Sequence, residues 1–398
     1  MSPILPPFPS NDKGEIDTPW ELGYNYANDP RQEAHSMQII QDRRALHQIP
    51  ELDRRLPETL SYVKKALSGQ KCRVFSPMEG ALCAWFDFGA GSAIAFRADL
   101  DALPIGEKTG APYASRHPGQ MHACGHDGHT AILLELARRL DRRETLERNI
   151  LLVFQPAEET TGGAKDLCAT GLFAQYKVEA IFGLHLWPGL EAGMVYSRKN
   201  ELMARSCEVN VDVAGKSAHI AKSWEGLDAL AAGTEFYRRA MAMEAALPES
   251  VFRLLKFGKF TSGTVRNALS AHTRMEGSLR AFQDDIFASL RHGLMEIAKD
   301  IESASGCVVK VETSEGYPAV MNPEALYERV RGWVDFRELA EPVMTAEDFS
   351  FYQRSLPGLF FFLGTGDSPA LHTDNFDFDE SILETGAAFF EKLAVSFR

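Results

Sequence analysis

Residues Thr130–Gln155, TAILLELARRLDRRETLERNILLVFQ, decide the fold class. Ile132, Leu133, Leu136, Ala137 and Leu140 recur at helical spacing, with Glu135, Arg138 and Arg139 on the opposite face. Asn149–Gln155 is a continuous apolar run, which reads as a strand buried on both faces. Ala180–Leu186 repeats that pattern, and so does Pro357–Leu363 (PGLFFFL), with a closing helix over Glu380–Val395. Strands alternating with helices in this way imply an α/β sheet covered by helices on both faces.

Upstream, the pattern is helical from Glu33 to Gln48 and stops before Pro50, because a residue preceding proline avoids the helical region. Pro57 opens a second helix that runs to about Ser68. Ala81–Phe88 and Ala93–Arg97, joined by Gly89-Ala90-Gly91-Ser92, are expected to form a β-hairpin. Residues 1 to about 30 are a polar, proline-bearing lead-in expected to be an extended arm.

Downstream of Arg205 the order changes. Ser206–Val213 alternates as a half-buried strand, and Trp224–Ala246 is an Ala-rich helix. Strands at Val251–Phe260 and His272–Ala281 follow. Then comes a helix with Ile286, Leu290, Leu294, Ile297 and Ile301 on one stripe, and a last strand over Val308–Glu312. This β-α-β-β-α-β order is ferredoxin-like, and a unit of about 110 residues fits an inserted domain. The expected organisation is a discontinuous domain of residues 1–202 and 315–398 with a second domain, 203–314, between the two pieces. An exposed sheet edge in the second domain would be available for dimer formation.

Composition narrows the function. Of 398 residues, 45% are hydrophobic and 24% charged, which excludes wholesale disorder. The formal charge of −13 argues against nucleic acid as a partner. No run of about 18 apolar residues is present to span a membrane, and the first residues lack a secretory pattern. The cysteines at 72, 83, 124, 168, 207 and 307 form no CxxC pair, so reduced thiols and a cytoplasmic location are expected.

Met121–His129, MHACGHDGH, carries the densest chemistry: His122, Cys124, His126, Asp127 and His129 within eight residues, just before a helix. A lone histidine there would be an ordinary hydrogen-bonded loop residue, whereas this many donors together indicate a metal site. No second Cys/His cluster exists to complete a zinc finger, so further ligands must come from distant segments. In α/β sheets such groups gather at the C-terminal ends of strands. Asp99 and Asp101, Glu158 and Glu159, His185, and His372 all follow or end predicted strands. Glu158-Glu159 could equally be an acidic pair at a helix start, and His185 a satisfied core histidine.

Six separated stretches, RADLDALPI (97–105), GQMHACGHD (119–127), FQPAEE (154–159), GLHLW (183–187), EDF (347–349) and Leu371-His372, together resemble the M20 metallopeptidase and amidohydrolase family. The likeness is to its amidohydrolase branch, which includes N-acyl-amino-acid amidohydrolases, hippurate hydrolases and N-acetyldiaminopimelate deacetylases. The resemblance implies a zinc-aminopeptidase-like α/β catalytic domain with an inserted ferredoxin-like lid and dimerisation domain. It implies two divalent metal ions per subunit, zinc or manganese first and cobalt or nickel after them. Cys124 would bridge the ions, and His126, Glu159, His185 and His372 would complete the ligands. Glu158 would be the general base and Asp99 would orient a ligand imidazole. A metal brings the pKa of its water toward ~7, within reach of such a base. Neighbouring side chains on extended backbone face apart, which suits one glutamate on the metal and the other beside it.

Gly215-Lys216-Ser217-Ala218-His219 resembles the family's lid motif, which implies that His219 reaches a partner subunit's site in a homodimer. Asn267 and Arg280 resemble lid positions that grip a substrate carboxylate. Many relatives carry a second histidine shortly after the lid one, where this chain reads Ile220-Ala221-Lys222-Ser223-Trp224. The expected activity is metal-dependent hydrolysis of N-acyl amino acids. Deacetylation of N-acetyldiaminopimelate and dipeptide cleavage are alternatives within the family, and a non-catalytic metal-binding scaffold is one outside it.

Overall fold

The computed structural model describes residues 30–398, with side chains described from residue 37 onward; the expected N-terminal arm lies outside the described residues. Fourteen strands are present among them: β1 (Arg73–Phe75), β2 (Leu82–Phe86), β3 (Ala93–Asp99), β4 (Asn149–Gln155), β5 (Val178–Trp187), β6 (Val195–Ser197), β7 (Asn200–Met203), β8 (Arg205–Ala214), β9 (Arg253–Ser262), β10 (His272–Ala281), β11 (Val308–Thr313), β12 (Val320–Asn322), β13 (Arg337–Glu338) and β14 (Gly358–Gly364). Eight of them form one sheet in the order β1-β2-β4-β3-β5-β14-β6-β13. Its centre, β4-β3-β5-β14, is parallel, and every residue of β3, β4 and β14 is buried, as the continuous apolar runs require.

The expected hairpin does not form. β2 pairs antiparallel with β4, and β4 inserts between β2 and β3. The Gly89–Ser92 loop therefore spans a strand rather than making a tight turn. Burial explains the choice: β3 is buried along its whole length and gains neighbours on both sides from β4 and β5.

Alternating residues of the central strands feed two cores. Ile94, Phe96 and Ala98 face helices Pro30–His47, His126–Asp141 and Ile382–Ser396, whereas Ala95, Leu151 and Val153 face Leu167, Phe349 and Tyr352. This is the two-sided covering inferred from the alternation of elements.

The segment between carries a separate four-stranded antiparallel sheet, β11-β8-β10-β9, with helices Ala229–Ala245 and Asp284–Ser305. Relabelled by occurrence, the strand order is 4-1-3-2, the ferredoxin-like order. Val209, Val211 and Val213 pack with Phe236, Leu290 and Leu294 in its own core. The Ala-rich helix begins later than expected. Ile220–Glu225 is a short 3-10 turn, Gly226 interrupts the chain, and Asp228 accepts hydrogen bonds from Leu230 and Ala231 N–H to cap the helix at Ala229.

Candidate metal centre

The parallel strands β4, β3, β5 and β14 deliver Asp99, Gln155 and His185 toward one edge of the large sheet. Cys124-Gly125-His126 lies at the start of helix His126–Asp141. Gly125 takes φ 83°, and a Cβ there would stand 3.0 Å from the Leu186 side chain, so the tight entry into the helix needs glycine. Two non-glycine residues at the site also adopt the left-handed region: Ala157 (φ 59°), just before Glu158, and His372 (φ 62°). Such conformations cost roughly 1–3 kcal/mol and persist only where surrounding bonds enforce them. Here Ala157 N–H donates to Asp53 O (3.2 Å) and His372 N–H to Ala123 O (2.8 Å).

The five residues expected as ligands converge. Cys124 Sγ lies 3.4 Å from His185 Nε2 and 3.3 Å from His372 Nε2. Glu159 Oε1 lies 3.2 Å from His372 Nε2 and 3.8 Å from His126 Nε2. The donors form two groups that share the sulfur, Cys124–His126–His185 and Cys124–Glu159–His372, each with its atoms within 4.8 Å of one another. A tetrahedral ion with nitrogen and sulfur ligands at ~2.0 and ~2.3 Å needs a donor separation of roughly 3.5 Å, so the spacing fits.

Ring orientation fits as well. His126 Nδ1 donates to Asp101 O (2.7 Å), and its buried Nε2 has no hydrogen-bond partner among the described residues. His185 Nδ1 donates to Leu186 O (2.7 Å), which turns Nε2 toward the sulfur. Imidazoles anchored through one nitrogen present the other as a metal ligand. Thiolate, imidazole and carboxylate converging on an orphaned buried nitrogen suit a pair of divalent cations.

Glu158 sits beside this cluster. The Asp101 carboxylate accepts N–H bonds from both Glu158 (2.9 Å) and Glu159 (3.0 Å), and the Tyr317 hydroxyl donates to Glu158 O (2.7 Å). The Glu158 carboxylate lies within 4.8 Å of those of Glu347 and Asp348. Burial, reinforced by Glu347 and Glu159, pushes Glu158 well above the usual carboxylate range. A carboxyl so placed can hold and return a proton near neutral pH. Arg97, fully buried, balances its acidic neighbours with contacts to Asp99 (2.7 Å), Glu347 (3.0 Å) and Asp348 (2.8 Å).

Some supporting contacts, and the residues Arg43 and His47, escaped the sequence reading. Asp99 makes its hydrogen bond to His129, with Oδ1 2.6 Å from Nδ1, and stands 3.7 Å from His126 Nε2. His129 Nε2 in turn accepts the Leu186 N–H (2.9 Å) and so fixes the end of β5 beside His185. Thus Asp99 orients His129, and the Asp101 carbonyl orients His126. Arg43, buried in the first helix, contacts Asp127 (2.9 Å), Asp377 (2.8 Å) and Glu380 (3.1 Å). It ties the helix that carries His126 to the segment following His372. His47, one turn on, bonds Asp127 as well (2.7 Å). The signal for this pair was two basic residues at a four-residue spacing on a helix whose charged face could be taken as solvated.

A cleft of about 580 Å³ opens from Glu159 toward the four-stranded sheet, and Arg280 lines it. Arg280 donates to Met344 O and has no carboxylate partner among the described residues; burial lowers its pKa. His219 and Asn267 are exposed neighbours on the smaller sheet's loops. His219 Nδ1 accepts the Ala221 N–H (3.1 Å), Asn267 O accepts the Ile220 N–H (3.0 Å), and neither is bonded to the donor cluster. Among the described residues no helix is long and apolar enough to cross a membrane.

Comparison with known proteins bears on this geometry. The sequence profile of peptidase family M20/M25/M40 matches residues 95–396. An uncharacterized hydrolase of Staphylococcus epidermidis strain ATCC 12228 is 33% identical over 375 residues, covering 89% of this chain and 97% of the relative. Among solved structures, the YXEP protein of Bacillus subtilis, a dinuclear metal binding peptidase from the M20 family, is 29% identical with a TM-score of 0.80 over 91% of this chain and 98% of its own. The aminobenzoyl-glutamate utilization protein of Klebsiella pneumoniae is 20% identical and shares the fold, with a TM-score of 0.64 over 92% of this chain and 97% of its own.

Proposed function

This chain belongs to peptidase family M20/M25/M40 and is a metal-dependent hydrolase, and from that premise we propose that it hydrolyses the amide bond of N-acyl amino acids. The observation that carries the reading is a division of labour at one sheet edge. Glu158 stands beside a cluster of sulfur, imidazole and carboxylate donors, and Arg280, without a carboxylate of its own, lines the cleft that opens from Glu159.

Cys124, His126, Glu159, His185 and His372 would hold two divalent ions. Thiolate with imidazole favours zinc, the carboxylate admits manganese, and cobalt or nickel are further candidates. Such ions supply Lewis acidity toward an amide carbonyl and its attacking water. The Glu158 carboxylate would take the proton from that water, an uptake that its raised pKa favours, and return it to the leaving nitrogen. Glu347 and Asp348, held by Arg97, stand beside the Glu158 carboxyl and raise its proton affinity, so that it accepts the proton before passing it to the nitrogen. The Arg280 fork takes the carboxylate of the amino-acid part, which supplies the counter-charge that this half-buried guanidinium lacks.

Residues 203–314 act as a lid in this reading, and two copies of the chain pair through it. The exposed positions of His219 and Asn267 support service to a neighbouring copy's site. The free state of all six cysteines supports a reducing, cytoplasmic setting. Release of free amine from a panel of N-acyl amino acids, with the chain reconstituted separately with zinc, manganese, cobalt and nickel, tests the reading. Turnover of several members is expected. Silence across the panel with two metals bound per chain overturns it.

A further inference from the structure

We propose that Lys165 is a specificity-determining residue that receives a second, side-chain carboxylate of the substrate, so that the preferred substrates are N-acyl derivatives of acidic amino acids. The inference deepens the amide-hydrolase reading and rests on it.

The cleft that opens from Glu159 presents polar and apolar surface together. Thr160, Thr161, Ser206, Ser278 and Ser314 line it, Phe351 and Tyr317 supply its aromatic surface, and Glu159, Glu208 and Glu315 are its acidic members. Among those carboxylates, an anionic substrate group can be held only where a cation of the cleft meets it. Two cations enter the same cleft from different elements. Arg280 comes from β10 on the lid side, and Lys165 comes from helix Gly163–Ala169 on the catalytic side, a few residues beyond Glu159.

Their partners differ. Arg280 has no carboxylate partner among the described residues. Lys165 Nζ lies 2.9 Å from both oxygens of Glu315, a residue of the segment after β11, and 5.9 Å from the centre of the Phe351 ring. Glu315 therefore already shows how a carboxylate sits against Lys165, with the ring alongside. The Lys165 and Glu315 side chains are 49% and 76% exposed, and exposed pairs of this kind are worth little. A carboxylate tethered to a substrate already bound at the metal centre and Arg280 can displace Glu315, because its local concentration is high. With one carboxylate on Arg280 and another on Lys165, the substrate is a dicarboxylate.

The test compares N-acetyl-L-glutamate with its uncharged isostere N-acetyl-L-glutamine on the metal-reconstituted enzyme. The expected kcat/KM ratio is about tenfold or more in favour of the glutamate, as for a charge-assisted hydrogen bond set against a neutral one. Lys165→Met should bring the ratio close to one, and Lys165→Arg should keep it. Glu315→Gln, which removes the competing carboxylate, should lower KM for N-acetyl-L-glutamate. A wild-type ratio near one, or a ratio that Lys165→Met leaves unchanged, overturns the proposal. Turnover of neutral N-acyl amino acids without preference for the glutamate defeats this proposal alone. No turnover of any N-acyl amino acid defeats the amide-hydrolase reading and this proposal with it.

Discussion

Replacing His47 with glutamine should remove a pH dependence of stability that the wild-type chain carries between about pH 6.5 and 9. The imidazole is buried, with Nδ1 2.7 Å from Asp127 Oδ2 and Nε2 3.3 Å from Glu107 Oε1. Burial by itself lowers the His47 pKa, but the charge of Asp127 and the hydrogen bonds to Asp127 and Glu107 outweigh it, and the value rises from 6.5 to about 9. A group whose pKa is raised on folding contributes stability that is complete below its unfolded value and lost as pH climbs through the folded one. A rise from 6.5 to about 9, at roughly 1.4 kcal/mol per pH unit, corresponds to about 3 kcal/mol. The assay is urea unfolding of the metal-free chain from pH 6 to 10, wild type against His47→Gln, so that metal binding adds no pH dependence of its own. The wild type should lose about 3 kcal/mol more than the variant across that range. Parallel profiles, or an imidazole NMR resonance that titrates near 6.5, would refute the reasoning.

Three other perturbations follow from the same geometry. Asp101→Asn replaces one of the two oxygens that accept the Glu158 and Glu159 N–H groups with a donor, so metal affinity should fall about 10- to 100-fold in a competition titration; unchanged affinity would mean that the pair is positioned otherwise. At Gly163 an added Cβ would sit 1.9 Å from Pro156 O, so Gly163→Ala should cost about 1–3 kcal/mol in thermal unfolding and reduce turnover by moving the Glu158–Glu159 loop. Arg43→Met leaves Asp127, Asp377 and Glu380 without their shared buried cation and should cost about 3–5 kcal/mol in urea unfolding.

What could be read from the sequence was the local part. The strands Asn149–Gln155 and Gly358–Gly364 announce themselves because burial on both faces keeps their interiors, Ile150–Phe154 and Leu359–Leu363, wholly apolar. The donor-rich run from His122 to His129 is likewise contiguous, but its helix starts at His126, inside the run and four residues before the amphipathic pattern read from Thr130. Pairing is not local. The false hairpin arose because β4, which separates β2 from β3, comes about 50 residues later in the chain, and no turn residue reports a strand inserted from there. The late start of helix Ala229–Ala245 has a different origin, since Gly226 and the Asp228 cap are local signals that the helical reading ran through.

The supporting residues show the same limit. Arg43 meets Glu380 across 337 positions, and Gln155 meets Asp348 across 193. A charged residue on a helix face and a carboxylate beside a metal motif each look ordinary until the fold brings them together. Asp99 illustrates the intermediate case. Its nearness to the site was legible, but its hydrogen bond to His129 depends on how helix His126–Asp141 docks against β3.

The most direct test of the metal-centre account sets metal content against turnover in adjacent variants. Glu158→Gln should retain the wild-type number of metal ions per chain while N-acyl amino acid hydrolysis falls by about 100-fold or more, and Glu159→Ala should lose metal. A Glu158→Gln variant that turns over like the wild type, or that has lost its metal, would contradict the account.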